Sequence, residues 1–371
     1  MKVSCLQENL NWALGIVCRG LSRLKTESSK VIIETVGNNL ILRTASSEMS
    51  IRCRISAKVV VSGMVVMSAQ LLAGLVGILP KDRIDIDVIA GRTIITCARF
   101  TANFNSLKSD LPSYTWLESG ISTGIDVSDL RTALNRVTFA AGDESRPLLS
   151  GINLLLKDKT ATFAAVDGFR LAVMELPLKV AVKQVVNIVI PAKSLDIFNQ
   201  CIADRSGVVK LIVNLETKQV FLRAENIEMV TQTIPGRYPN YGSLIPAKFA
   251  TIVEVNRVEL LRSLRAVSSF TRETGTVRFF ITKTSGDQGE LTITAKSKDE
   301  ERDTSKHDIV VTVDGVDAKI AFKPNYIISA LSKLNSERVS LSLNTPTSPG
   351  VIHPVDGDNY TYVVMPMFVA W

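Results

Sequence analysis

The sequence predicts an α+β protein built from three copies of one module. The pattern L-x3-L-x2-V recurs at Leu10/Leu14/Val17, Leu130/Leu134/Val137 and Leu260/Leu264/Val267. Each copy places three aliphatic side chains on one face of a helix. After each helix the residues alternate apolar and polar with the period of a strand. A second helix then follows and leads into more strands, so each module holds two helix-then-strands halves. The 371 residues suit two to three domains, each large enough to bury its own core.

In module 1 the helix over LNWALGIV is followed by a run that needs care. Residues 59–79, VVVSGMVVMSAQLLAGLVGIL, carry no charge and are long enough to span a bilayer. Ser62-Gly63 interrupts the run, and Ser68 stands where a helix N-cap belongs, so we read a buried strand, a turn and a helix. Ile84, Ile86 and Val88 then alternate with Asp85 and Asp87, as on a half-buried strand. The second helices are expected over 68–79, 192–202 and 324–334. They lead into the strand patterns RIDIDVIAGRTIITC, VVKLIVNLETKQVFLRA and RVSLSLNTPTSPGVIHP. Linkers are expected at 117–124 and 245–252, giving modules 1–121, 123–249 and 250–371. Such a repeat invites a closed symmetric assembly, because one contact can be propagated round a ring.

The chain is 46% hydrophobic but only 6% aromatic, so the core is expected to be aliphatic and strand-rich. Lys and Arg outnumber Asp and Glu by 43 to 36, an excess that permits a polyanionic partner. Arg19 and Arg23, Arg136, and Arg262 and Arg265 fall away from the leucine faces of the three first helices. Together they form a candidate basic surface suited to phosphate contact without base readout. Five scattered cysteines with no CxxC pair read as reduced thiols of a cytoplasmic protein, and the N-terminus lacks a signal-peptide pattern.

Catalytic chemistry is thin. His307 is expected in a solvated loop (296–307) and His353 at a strand end, neither with partners at metal-ligand spacing. No phosphate-cradling glycine motif occurs. Asp85 and Asp87 read as the wet side of a strand, and Asp356 and Asp358 as a turn. The chain reads as a binding protein without cofactor or metal.

Three motifs, VDGFRLAV (166–173), PGRYPNYGSLIP (235–246) and YVVMPM (362–367), resemble segments of the bacterial DNA polymerase III beta subunits, the sliding clamps. The resemblance covers essentially the whole chain. It implies three clamp modules, each with two helices packed on antiparallel sheets, and a homodimer closing head to tail around duplex DNA. It implies a non-catalytic processivity factor that ignores DNA sequence. A hydrophobic cleft on the last two modules would take short peptides from the replicative polymerase α subunit, the clamp loader, repair polymerases and mismatch-repair proteins. Carried over by position, the cleft would comprise Leu149, Val166, Gly168, Phe169, Arg170, Leu171, Pro239, Leu244, Tyr326, Val363, Val364, Met365, Pro366 and Met367. The subunit interface would involve Phe104 and Phe270. A peptide-binding scaffold of the same fold without DNA encirclement is the alternative.

The chain departs from the family pattern in several places. Val166 and Phe169 stand where the family has Thr and His or Tyr, and Ser243 where Arg is common. The segment SRLKTESSKVIIETV (22–36) replaces the family's Arg-x-x-Leu-Pro-Ile-Leu. After the MPM segment come Phe368, Val369, Ala370 and Trp371, and Trp371 is expected either to fold over the cleft or to hang free.

Overall fold

Each module begins with a strand that runs directly into a helix, and a computed structural model shows how three such units join. It describes residues 1–21, 29–108, 112, 114, 116, 119–270, 275–296, 304–355, 357 and 359–371. Arg23, Asp356 and Asp358 lie outside the described residues. The helices are α1 (Gln7–Val17), α2 (Ala69–Ile78), α3 (Val127–Val137), α4 (Ala192–Cys201), α5 (Arg257–Ser268) and α6 (Pro324–Leu331). The repeated stripe is buried in all three first helices: Leu10, Leu14, Val17, Leu130, Leu134, Val137, Leu260, Leu264 and Val267 are each at most 1% exposed. Burying one such side chain contributes about 1.5–3 kcal/mol.

Local chemistry sets the helix starts. The Ser68 hydroxyl accepts from the Leu71 amide, so the uncharged run ends in a capped helix after strands Lys58–Val61 and Met64–Ser68. Asn256 Oδ1 accepts from the amides of Val258 and Glu259, and Pro324 opens α6. Among the described residues, no helix is long and apolar enough to cross a membrane. Two expectations need correction. Module 2 opens with strand Ile121–Asp126, which overlaps the expected linker at 121–124, because its backbone pairs throughout with Val208–Val213. His307 lies on strand Thr304–Gly315 and not in a loop, with Nδ1 3.0 Å from the Ser263 hydroxyl.

Among the described residues all strand pairings are antiparallel, and the sheets cross the module boundaries. Strand Ile227–Gln232 of module 2 pairs with Met49–Ser56 of module 1, with Ile227 opposite Cys53 and Thr231 opposite Met49. Strand Tyr360–Val364 of module 3 pairs with Arg170–Pro177 of module 2, with Tyr360 opposite Met174 and Val364 opposite Arg170. At both joints, the last strand of one module therefore meets the third strand after the first helix of the module before it. The same rule leaves two edges unpaired among the described residues. Strand Phe100–Asn105 of module 1 pairs only with Arg92–Cys97. Residues 304–311 of module 3 pair only with Gln288–Lys296.

Strand residues alternate between two faces. One face packs with the helices in a single continuous core that includes Cys53, Ile227, Met174, Tyr360 and Val364. The opposite face carries a separate cluster at each joint. The first joint holds Ala45, Tyr114, Ile212, Phe221 and Val230, with Trp116. The second holds Ala164, Val166, Leu171, Val173, Tyr238, Val351 and Val363 among others.

Candidate functional site

The outer cluster at the second joint is where most of the predicted cleft residues meet. Leu171 lies opposite Val363, which lies opposite Val351, so three apolar side chains from modules 2 and 3 stand in one row. Val166 closes the row by pairing with Leu171. Leu148, Leu149, Ile234, Tyr241, Ile245 and Phe249 pack partly buried around them. Val363 and Val364 are both buried, but on opposite faces. Val364 belongs to the helix-side core, which corrects its placement in the cleft.

A polar frame holds this apolar surface. Tyr238, 8% exposed, accepts from the Val166 amide at 3.0 Å and donates to the Gly151 carbonyl at 3.3 Å. Burial pushes its phenol up to about 12. The turn 167–170 is tied by Asp167, whose Oδ1 accepts from the amides of Phe169 and Arg170 at 2.9 Å, and whose Oδ2 meets Arg170 Nε at 2.8 Å. Gly168 sits in this turn at φ +97°, a conformation that disfavours any side chain.

The turn also brings modules 2 and 3 together. The Phe169 ring stacks on Tyr326 with centroids 6.3 Å apart, and the Arg170 guanidinium lies 5.0 Å from the Tyr326 ring. The Met365 amide donates to the Phe169 carbonyl at 2.8 Å, which seats exposed Met365 beside exposed Phe169. Pro239 is exposed and Leu244, 40% exposed, stands on a short turn over 242–244. Pro366 is buried, and the Met367 amide donates to the Ala321 carbonyl.

That bond directs the tail away from the cleft. Trp371 packs edge-on against Phe280, 5.6 Å between centroids, with Lys319 Nζ 5.0 Å from its ring. It neither covers the cleft nor hangs free. Strand alternation carries a signal for residues the sequence reading missed: Val173 is two positions beyond Leu171 and shares its face. Tyr238 lies inside the quoted PGRYPNYG motif, but the partners of its hydroxyl, Val166 and Gly151, come from distant parts of the chain.

The basic residues divide. Arg262 and Arg265 are exposed on α5, and Arg19 is exposed just after α1, donating to Gln200 Oε1 at 3.0 Å. Arg136 is 4% exposed, its guanidinium 5.8 Å from the Tyr360 ring, so it does not belong to a solvent-facing basic surface. The second joint covers it, because Tyr360 arrives on the joint strand of module 3. Phe104 lies on the unpaired edge strand of module 1, half-buried against the core, and Phe270 is 43% exposed just beyond α5.

Asp85 and Asp87 are engaged in surface ion pairs, Asp85 with Arg83 and Asp87 with Lys2. His353 Nδ1 lies 3.0 Å from the Tyr360 carbonyl, which can only accept, so this nitrogen carries the proton and donates it. The five cysteines are free; burial raises Cys5, Cys53 and Cys201 to about 12. Among the described residues, no group of three or more His, Cys, Asp or Glu could hold a metal ion.

Comparison with known proteins agrees with this architecture. Residues 124–240 match the family model of the DNA polymerase III beta subunit central domain, and 242–368 match that of its C-terminal domain. A beta sliding clamp of Synechocystis sp. is 27% identical, with 99% of each chain covered. One from Bacillus subtilis is 26% identical, covering 82% of this chain and 80% of that one. The fold superposes on the crystal structure of the Bacillus subtilis DNA polymerase sliding clamp with a TM-score of 0.92, at 23% identity over the whole of both chains. A sliding clamp from Pseudomonas aeruginosa bound to griselimycin gives 0.92 at 22% identity, again over both whole chains. With two of its three modules, more than half of its length, matched in order by the family models, the chain belongs to the DNA polymerase III beta subunit family.

Proposed function

We propose that this protein is a DNA sliding clamp. Two copies close head to tail around duplex DNA, and the cleft at the second joint tethers the replicative polymerase α subunit, the clamp loader and repair proteins through short peptides. The observation that carries the ring is the pairing rule of the joints. Both internal joints pair the last strand of one module with the third strand after the first helix of its neighbour. The two strands left over are the same two kinds, Phe100–Asn105 and Thr304–Gly315. A second copy satisfies both edges by repeating the joint, and unpaired edges are otherwise a liability. Phe104 rides on one of these edge strands.

Ring closure places the helix layer on one side throughout, with exposed Arg19, Arg262 and Arg265 available to phosphates. Few fixed contacts are required of a protein that slides, because phosphate attraction carries no sequence information. The apolar row at the second joint, with adaptable Met365 beside it, suits an extended peptide with aliphatic or aromatic anchors. Tethering asks for binding alone, so this role is non-catalytic.

The test is retention on nicked circular DNA after loading by the cognate clamp loader, before and after the circle is linearised. Retention on the circle and loss from the linear form is expected. Equal retention on both would mean ordinary surface binding and would remove the encircling role.

A further inference from the structure

The outer face of the first joint repeats the backbone geometry of the cleft with inverted chemistry. Val230 lies opposite both Ser50 and Phe221, as Val363 lies opposite both Leu171 and Val351. Tyr114 reaches over this joint to donate to the Ser46 carbonyl at 2.9 Å, as Tyr238 reaches over the other. Two residues along each joint strand the likeness ends. Thr361 lies opposite Val173, whereas Glu228 lies opposite Arg52 on one side and Arg223 on the other.

The row extends further, since Lys210 pairs with Arg223 and Arg43 with Arg52. Lys210, Arg223, Glu228, Arg52 and Arg43 thus cross five strands with four cations and one carboxylate. Glu228 engages both Arg52 and Arg223, the latter at 2.6 Å. The Arg52 guanidinium lies 4.1 Å from the Trp116 ring centroid, and the buried Trp116 indole N–H has no hydrogen-bond partner among the described residues. Beside this row is a cavity of about 140 Å³ walled by Arg52, Arg54 and Arg223, with Ile41, Asn226 and the Glu228 already shared by Arg52 and Arg223. Arg54 is exposed and has no ion-pair partner among the described residues. Glu225, also on the wall, is already engaged by Arg205 at 3.2 Å.

We propose that this face is a second docking site, for an acidic peptide segment of a partner protein. An Asp or Glu carboxylate enters the cavity between Arg52, Arg54 and Arg223, and the flanking residue lies against Trp116. Charge complementarity selects the occupant: the face carries an excess of guanidinium groups, whose forked donors match a carboxylate, as Glu228 already demonstrates. The face is opposite the helix layer, so it is directed away from the side that would meet the DNA duplex. That the occupant is a peptide rests on the peptide reading of the quasi-equivalent cleft; the cationic cavity itself does not.

The experiment uses the full chain and two labelled peptides in fluorescence anisotropy. One is a fluorescein-labelled hexapeptide of alternating Glu and Asp; the other is an uncharged peptide containing Leu and Phe. The acidic peptide is expected to bind saturably, and Arg54→Glu is expected to weaken it by about tenfold or more, the loss of one charge-assisted contact plus repulsion. Phe169→Asp should leave the acidic peptide unaffected while weakening the apolar one. No binding of the acidic peptide, or equal affinity for Arg54→Glu and the parent protein, would overturn the proposal. So would a single-stranded DNA 20-mer that binds more tightly than the peptide and loses as much affinity in Arg54→Glu, because the site would then be a phosphate site. Failure of the apolar peptide alone would count against the cleft and leave the acidic site standing. Arg54 is exposed, and an unchanged circular dichroism melt separates lost binding from lost fold.

Discussion

The two internal joints share a backbone and differ in almost every outward-facing side chain. At the second joint the row Leu171–Val363–Val351 is apolar, and its polar groups are confined to the frame supplied by Tyr238 and Asp167. At the first joint the neighbouring row is an ionic ladder centred on Glu228. Pairing register decides which residues meet, because it fixes which side chains share a face. Residue type then decides what the meeting place can bind. A repeated fold can in this way offer several sites of one shape and different chemistry.

The largest expected difference between the joints comes from that central position. Glu228 is 12% exposed at its side chain and neutralises two partly buried arginines. Glu228→Gln removes the carboxylate charge that Arg52 and Arg223 share, and is expected to cost about 2–3 kcal/mol. The matched change Thr361→Val, on the strand that lies opposite Val173, should stay within about 0.5 kcal/mol, as for a surface substitution. Urea unfolding of both variants checks this. Similar losses at the two positions would show that the ladder adds nothing specific to the first joint.

The repeated helix stripe was legible because it depends on local spacing, and so were the capped helix after Ser68 and the apolar character of YVVMPM. What the sequence withheld depends on which strands meet. Arg136 follows the stripe pattern of an exposed position, yet Tyr360 from more than two hundred residues away lies over it. Val363 and Val364 are adjacent and both apolar, and only the pairing with Leu171 and Arg170 tells which one faces outward. His307 sits amid charges that suggest a loop, but Ile293 opposite supplies a strand partner. The cationic ladder was invisible for the same reason: its members come from residues 43, 52, 210, 223 and 228 and never look like a run.

The tyrosines give a smaller and sharper contrast. Tyr238 makes two hydrogen bonds at the second joint and Tyr114 one at the first. Tyr238→Phe should cost about 1–2 kcal/mol and Tyr114→Phe about 1 kcal/mol, since the first loses two buried hydrogen bonds to the backbone and the second one part-buried bond. Burial raises both phenols, and the pH dependence can be followed at Tyr238. Tyr238 is held protonated up to about 12 by burial, above the ordinary value near 10. A raised folded pKa means the contribution is complete below about pH 10 and is lost as pH climbs toward 12. Subtracting the stability of Tyr238→Phe from that of the parent should therefore give a difference that shrinks across this window. A difference independent of pH would mean that the phenol is not buried as described.

The smallest effect tests whether the second joint's apolar surface is its own. The tail leaves the joint strand at Val364, passes Met365 beside Phe169, and ends with Trp371 against Phe280. Trp371 is 44% exposed and gains one edge-on ring contact with Lys319 and Arg278 near its face. Trp371→Ala is thus expected to cost about 1 kcal/mol, with the affinity for the apolar peptide unchanged, because the contacts that seat Met365 lie upstream and do not involve the indole. Calorimetric melting and peptide titration on the same sample measure both. A loss of peptide affinity of about tenfold without a matching loss of stability would place the tail in the cleft. The apolar chemistry of the second joint would then belong partly to the tail and not to the sheet pairing alone.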